Sequence, residues 1–262
     1  MRLSLLQFTV GSNFDENFEK SKNLIQKCLT FKPELILFPE CFLYLSNLKK
    51  FSIEQNHKSI IYFQQFAKEN NVNILLGSLP IEENNNVYNR SLVVDSNGSI
   101  ISKYDKVHMF DVILKNKELY KESDTYKPGS TLETFIINDC KFGHSICYDL
   151  RFPKLYRHLA KIGSQVIVIP SAFTFTTGKS HWHTLIKARA IENGVFIVAP
   201  NQWGINNERR STYGHSLVVN PWGEIIAEAD DKEMVVNCEI NLNEVEDIQK
   251  SIPVLKHDID FQ

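Results

Sequence analysis

The stretch GHSICYDLRF, residues 143–152, turns an apolar β segment into a helix within a few residues. Upstream, KFGHSICY (141–148) reads as a strand; downstream, PKLYRHLAKIG (153–163) reads as a helix with Pro153 in its first turn and Gly163 at its end. A buried strand, SQVIVIPSA (164–172), follows at once. Strand, helix, strand is the repeating unit of an α/β fold. Cys147 stands at the junction, where unpaired N–H groups and the positive end of a helix dipole can lower a free thiol pKa of about 8.5 toward neutrality. The competing reading is the commoner fate of an unpaired cysteine, a small buried hydrophobe.

The same alternation extends outward. RLSLLQFTV (2–10) reads as strand, DENFEKSKNLIQKCLT (15–30) as an amphipathic helix and ELILFPE (34–40) as strand, with a helix within residues 53–70. Three β segments come next, VNILLGSLP (72–80), VYNRSLVVD (87–95) and SIISKYDK (99–106), with Asn97-Gly98 supplying a tight turn. Residues 105–129 show little periodicity and much charge, and read as an irregular segment able to carry chemistry. TLETFIIND (131–139) pairs with KFGHSICY, and a helix from about Lys179 to Asn193 leads into VFIVAP (195–200) and two β segments within GHSLVVNPWGEIIAEA (214–229). No linker, repeat or low-complexity tract interrupts the pattern, so one domain over residues 1–262 is expected.

Composition removes several classes of function. The formal net charge of −2 comes from interspersed signs, which disfavours nucleic acid as a partner. No apolar run approaches the roughly 18 to 20 residues that span a bilayer, and MRLSLLQFTVGSNF opens like a strand rather than a signal peptide. Five cysteines without a C-x-x-C pair fit neither a disulfide framework nor a structural zinc site, and point to a reduced, cytoplasmic setting.

Three further side chains sit where chemistry is possible. Glu40 ends an apolar strand, the place where α/β sheets open a crevice; taken alone it reads more readily as a solvated cap. Lys106 follows a strand in KYDKVHMFD (103–111) and could face the oxygen that turns negative when a thiolate attacks a carbonyl, or be a surface lysine. Glu122, in the irregular segment, offers a second carboxylate. His181-Trp182-His183 is a poor metal pair, because residues two apart on a helix diverge around its axis.

Together FPE (38–40), KYDKVHMFD and GHSICYDLRFP (143–153), in that order, resemble the three signatures of the nitrilase superfamily of carbon-nitrogen hydrolases. The resemblance implies a four-layer α-β-β-α sandwich whose subunits pair through their helical faces into a homodimer or larger assembly. It implies Cys147 as nucleophile, Glu40 as general base, Lys106 as stabiliser of the tetrahedral intermediate and Glu122 as a second glutamate beside the lysine, with no metal or organic cofactor. A closed pocket would raise the pKa of Glu40 and Lys106 would lower it, a balance that residue order leaves open.

Within the superfamily, the second half of the chain is similar to the branch that hydrolyses deaminated glutathione to 2-oxoglutarate and cysteinylglycine. The alternative is ω-amidase action on 2-oxoglutaramate and 2-oxosuccinamate; a different class is a binding protein that kept the fold. Tyr148, Ser171, Ala172, Phe173 and Thr174 are expected to border the scissile amide, with Phe173 equally suited to the core. Arg151 either reaches a substrate carboxylate or forms an ion pair that braces the nucleophile helix. His144, near the nucleophile, and Asn206 and Asn207 depart from the usual family residues.

Overall fold

The structure, a computed structural model, describes residues 1–45, 51–115, 117–208 and 210–259. The chain begins with β1 (Arg2–Gln7), α1 (Phe14–Cys28), β2 (Leu35–Leu37), α2 (Lys58–Asn70), β3 (Asn73–Glu83), β4 (Asn86–Val94) and β5 (Ile100–Asp105). A ribbon of β6 (Asp111–Ile113) and β7 (Leu119–Lys121) leads to β8 (Thr134–Ile137), β9 (Cys140–His144), α3 (Pro153–Lys161), β10 (Val166–Val168), α4 (Phe175–Asn193) and β11 (Phe196–Ala199). A second ribbon, β12 (Trp203–Asn207) and β13 (Arg210–Tyr213), precedes β14 (Leu217–Val219) and β15 (Ile225–Glu228). The chain then returns through β16 (Met234–Glu239) to α5 (Asn243–Ser251) and α6 (Val254–His257).

Two six-stranded sheets result, in the orders β16-β1-β2-β3-β4-β5 and β15-β14-β11-β10-β9-β8. Each is parallel at its centre and antiparallel at its edges. Side-chain alternation sorts the apolar residues into three cores. Leu3, Leu5, Leu35 and Leu37 of the first sheet meet Phe142, Val166, Val168 and Phe196 of the second. Leu6 and Ile36 turn the other way, onto Leu24 and Ile25 of α1 and Ile60 and Phe63 of α2. Ile167 and Ile197 leave the second sheet on its far side and pack against Leu155 and Leu159 of α3 and Trp182 and Ile186 of α4. Helix, sheet, sheet, helix is the four-layer sandwich that the resemblance implied. Each of these fully buried aliphatic side chains contributes about 1.5–3 kcal/mol relative to exposure.

Local boundaries differ from the sequence reading where a cap or a tertiary contact intervenes. The helix expected from Lys179 begins at Phe175, because Thr174 caps it by accepting from the Thr177 N–H, and it ends on Gly194 at φ 61°. The helix expected within 53–70 begins at Lys58, since Ile53 is drawn into a parallel bridge with Ile81. The segment read as irregular holds the β6–β7 ribbon and a 3-10 turn over Glu122–Asp124. The β12–β13 ribbon, β16 and the two terminal helices were not anticipated. Among the described residues, no helix is long and apolar enough to cross a membrane.

Candidate active site

Three strand ends aim their side chains at one place. After β2 the chain turns through Pro39, Glu40 and Cys41, the last at φ 50°. This turn lies so close to β3 that a Cβ on Gly77 would stand 1.9 Å from the Pro39 carbonyl oxygen, so position 77 admits only glycine. After β5, Lys106 is fixed through its backbone: its N–H donates to Asn89 O (3.0 Å) and its carbonyl accepts from Gly129 N (2.9 Å). The preceding Asp105 is gripped by Arg90 through two bonds of 2.6 and 2.9 Å.

After β9 comes Cys147, at φ 46°, a left-handed conformation uncommon for a residue with a Cβ and a mark of a sharp, over-determined turn. Its N–H donates to Pro170 O (3.1 Å). Asp149, fully buried, ties this turn to the lysine segment: Oδ2 accepts from Ile146 N (2.9 Å) and the Tyr104 hydroxyl (2.7 Å), while Oδ1 accepts from His108 N (3.1 Å) and faces His108 Nδ1 at 2.7 Å.

The side chains then meet. Lys106 Nζ lies 2.8 Å from Glu40 Oε1 and 2.8 and 3.0 Å from the two Glu122 carboxylate oxygens. Asn89 Nδ2 donates to both glutamates, at 2.9 Å to Glu40 and 3.0 Å to Glu122. Glu40 Oε2 accepts from Ala172 N (2.9 Å) and Glu122 Oε2 from Phe110 N (2.7 Å). Cys147 lines the same cavity as Glu40, close enough for the charge of that carboxylate to act on its thiol. Glu40, Lys106 and Cys147 are all buried.

Burial dominates the protonation states. It pushes the Cys147 thiol well above its ordinary pKa, the charge of Glu40 adds to that, and Lys106 with the Ala172 N–H does not reverse it. For Glu40, burial pulls upward, but the charge and hydrogen bond of Lys106, with help from Cys147 and Arg210, hold the carboxyl below the usual range. Burial opposes the charge on Lys106, and Glu122 and Glu40 overcome it, raising the ammonium well above its ordinary value. The resting site is therefore thiol, carboxylate and ammonium. This corrects the expectation of a thiol lowered by a helix dipole: Cys147 opens a five-residue 3-10 turn, α3 starts only at Pro153, and desolvation outweighs what that turn supplies. It also resolves the balance at Glu40 in favour of the lysine.

Above these groups opens a cavity of about 290 Å³, walled by Tyr44, Phe110, Tyr120, Tyr126 and Arg210. Tyr148, Ala172, Phe173 and Thr174 line it as expected. Ser171 does not, and its hydroxyl donates instead to Ile169 O (3.0 Å). The Thr174 hydroxyl is 2.8 Å from that of Thr177, as part of the α4 cap. Arg151 lies outside the lining, over the rings of Phe173 (5.3 Å) and Tyr148 (5.9 Å) and 3.3 Å from His181 Nδ1. Among the described residues no carboxylate pairs with it, so the expected ion pair is replaced by contacts with rings.

Four residues that shape the site were not assigned from sequence: Asn89, Asp149, Gln202 and Arg210. Gln202 Nε2 donates to Glu40 O (2.7 Å), and Asn206 stands behind it, donating to Gln202 Oε1 (2.8 Å) and Val10 O (3.0 Å). Asn89 left a legible signal, since Asn89-Arg90-Ser91 places three polar residues between apolar Val87-Tyr88 and Leu92–Val94 of one strand. His144 packs between Phe135 and Tyr104, faces the Ser102 hydroxyl (3.1 Å), and is lowered by burial to about 3.

Of the three helix residues 181–183, Trp182 is buried with its indole N–H on His215 O (2.8 Å), while His183 turns to Glu228. His183 Nε2 and His215 Nδ1 each lie 2.7 Å from Glu228 Oε1, a set whose donor atoms could hold a metal ion. None of the three lines the cavity.

A buried cysteine, carboxylate and lysine thus meet at three strand ends of a four-layer sandwich, a set of groups able to carry nucleophilic and acid–base chemistry. Residues 2–250 match the family model for carbon-nitrogen hydrolases, and the chain belongs to that family. It is 36% identical to the deaminated glutathione amidase of Dictyostelium discoideum, over 98% of this chain and 93% of that protein. It is 35% identical to the ω-amidase NIT2 of Xenopus tropicalis, over 98% and 96%. Among solved structures it superimposes on Nit3 of Saccharomyces cerevisiae, a member of the nitrilase superfamily, with a TM-score of 0.86 and 27% identity over 97% of this chain and 94% of that one.

Proposed function

We propose that this protein hydrolyses the amide of deaminated glutathione, releasing 2-oxoglutarate and cysteinylglycine through a thioester on Cys147. The observation that carries the chemistry is the meeting in one cavity of a neutral Cys147 thiol and an ionised Glu40 that Lys106 Nζ and the Ala172 N–H hold in place. A thiol that cannot ionise alone needs a base in contact with it, and Glu40 is that base.

As sulfur bonds to the amide carbon, the thiol proton passes to Glu40 and the carbonyl electrons move to oxygen. Lys106 Nζ and the Tyr148 N–H hold that oxyanion. When the C–N bond breaks, Glu40 returns the proton to the leaving amine, and the acyl group stays on sulfur. Glu40 then takes a proton from water as the hydroxyl attacks the thioester, and the thiol is restored as the acid leaves. Glu122, holding Lys106 through two oxygens, and Asn89, bridging both glutamates, keep the ammonium aimed without accepting its proton.

The substrate assignment is supported by PSAFT at residues 170–174 and by the similarity to a deaminated glutathione amidase along nearly the whole chain. A homodimer or larger homo-oligomer in the cytoplasm belongs to the same reading, supported by exposed Ile191 of α4 and exposed Trp222 in the turn whose Gly223 lies against Ile191. The test is release of 2-oxoglutarate from deaminated glutathione and from 2-oxoglutaramate. A kcat/KM at least about tenfold higher for the first is expected, equal to 1.4 kcal/mol of discrimination. A preference of that size for 2-oxoglutaramate would transfer the chain to the ω-amidase reading, and turnover of neither would remove the substrate class.

A further inference from the structure

Among the described residues, the cavity wall holds one cation that no carboxylate meets. Lys106 is shared between Glu40 and Glu122, and Lys121, at the mouth, pairs with Asp124 at 3.2 Å. Arg210, at the start of β13, is placed differently. Its Nη2 donates to Ala172 O (2.8 Å), its guanidinium lies 5.5 Å from the centre of the Tyr120 ring, and its Nε is buried with no acceptor among the described residues. No carboxylate among those residues lies within ion-pair distance of it. A buried charged donor without a partner is uncommon and calls for a reason, and the planar guanidinium is the group best matched to a carboxylate in two-point contact.

Two features place this group at the reaction. Ala172 accepts from Arg210 through its carbonyl and donates to Glu40 through its N–H, so one residue's backbone links the guanidinium to the base. The charges of the site, Glu40 and Glu122 against Lys106, otherwise sum to −1 and would repel an anionic acyl chain. Arg210 brings the lining to neutrality and supplies the attraction.

We propose that Arg210 is the carboxylate-binding residue of the acyl pocket, holding the 2-oxo-acid carboxylate of the substrate so that its distal amide carbon reaches Cys147. This rests on the reading of the protein as an amidase of 2-oxo-acid amides and extends it to the residue that selects them. Arg210, inside the cavity, takes the role that the sequence offered to Arg151, which lies outside it.

Arg210→Gln and Arg210→Lys test it with three substrates: deaminated glutathione, 2-oxoglutaramate and butyramide, whose short acyl chain has no carboxylate. Loss of a buried charge-assisted pair should lower kcat/KM for both oxo acids by about 100-fold in the Gln variant, chiefly through KM, while butyramide loses about tenfold less, a loss that reads only the link through Ala172 to Glu40. The Lys variant should recover part of the loss, since it restores charge without the two-point fork. An equal loss on butyramide would overturn the proposal by making Arg210 a support for Ala172 and Glu40 alone. A loss confined to deaminated glutathione would overturn it by moving the contact to the leaving dipeptide. Calorimetric titration of 2-oxoglutaramate into Cys147→Ala, with and without Arg210→Gln, reads the same contact without turnover. Equal affinity in the two would refute the site, whereas failure of wild-type turnover with binding intact would refute only the substrate assignment.

Discussion

At the floor of the cavity Glu40 and Glu122 present four carboxylate oxygens, and each has a donor: Lys106, Asn89, Ala172 N or Phe110 N. On the wall, Arg210 holds one carbonyl and leaves its Nε without an acceptor among the described residues. The floor is built from residues just beyond the ends of β2, β5 and β9, with Glu122 from the 3-10 turn after β7, locked by backbone bonds and by Asp149. Tyr120 and Arg210 of the wall come from the β6–β7 and β12–β13 ribbons, which belong to neither large sheet. On the proposed mechanism a saturated floor would serve any amide, because the oxyanion, the thiol and the base are common to all of them. An unsaturated wall, with the role proposed for Arg210, is where one acid would be told from another.

Glu40→Gln makes the sharpest use of that contrast. Removing the base should lower kcat by about 10³-fold, within the span of general acid–base catalysis, on charged and neutral amides alike. Initial rates on the three substrates above check this, and a loss that followed the substrate's carboxylate would erase the distinction between floor and wall. The same base sets a pH dependence. Its pKa is held below the usual 4.5 and the ionised form is the active one, so kcat/KM should be lost on the acid side with a midpoint below 4.5. An acid limb near neutrality would contradict the assignment of Glu40.

A smaller effect comes from His144, which resembles the wall in being incompletely satisfied although it is buried beside the floor. Its Nδ1 has no partner among the described residues, and burial lowers its pKa from 6.5 to about 3. Between those values the unfolded chain binds a proton that the folded one refuses, so stability should fall by about 1.4 kcal/mol for each pH unit below 6.5. Urea unfolding of wild type and His144→Phe at pH 6.5 and 5.5 should show that slope reduced by about this amount in the variant. Equal slopes would mean that His144 is protonated in the fold.

Much of the floor could be read from the sequence because Glu40 and Cys147 sit at the ends of apolar runs and Lys106 just past a strand, and strand ends are visible as the point where periodicity stops. Glu40, Lys106 and Cys147 follow from that pattern together with the family resemblance. Their protonation could not, since the pKa of Cys147 depends on burial and on a glutamate 107 positions earlier in the chain, and the helix-dipole argument uses only neighbours. The wall was hidden for a similar reason. Arg210 lies in GINNERRST, a polar run without strand periodicity, and its place in a ribbon is fixed by contacts with Ala172 and Tyr120 from distant parts of the chain. Asn89 lay between these cases, conspicuous inside a strand but without a partner to name.

The central claim is that sulfur 147 carries the acyl group. Acid quench of the wild-type enzyme during the first turnover of 2-oxoglutaramate or deaminated glutathione, followed by peptide mass spectrometry, should find a 2-oxoglutaryl thioester on the peptide containing Cys147, and Cys147→Ala should show none. An adduct on Cys28, Cys41, Cys140 or Cys238, or turnover that persists in Cys147→Ala, would contradict the account.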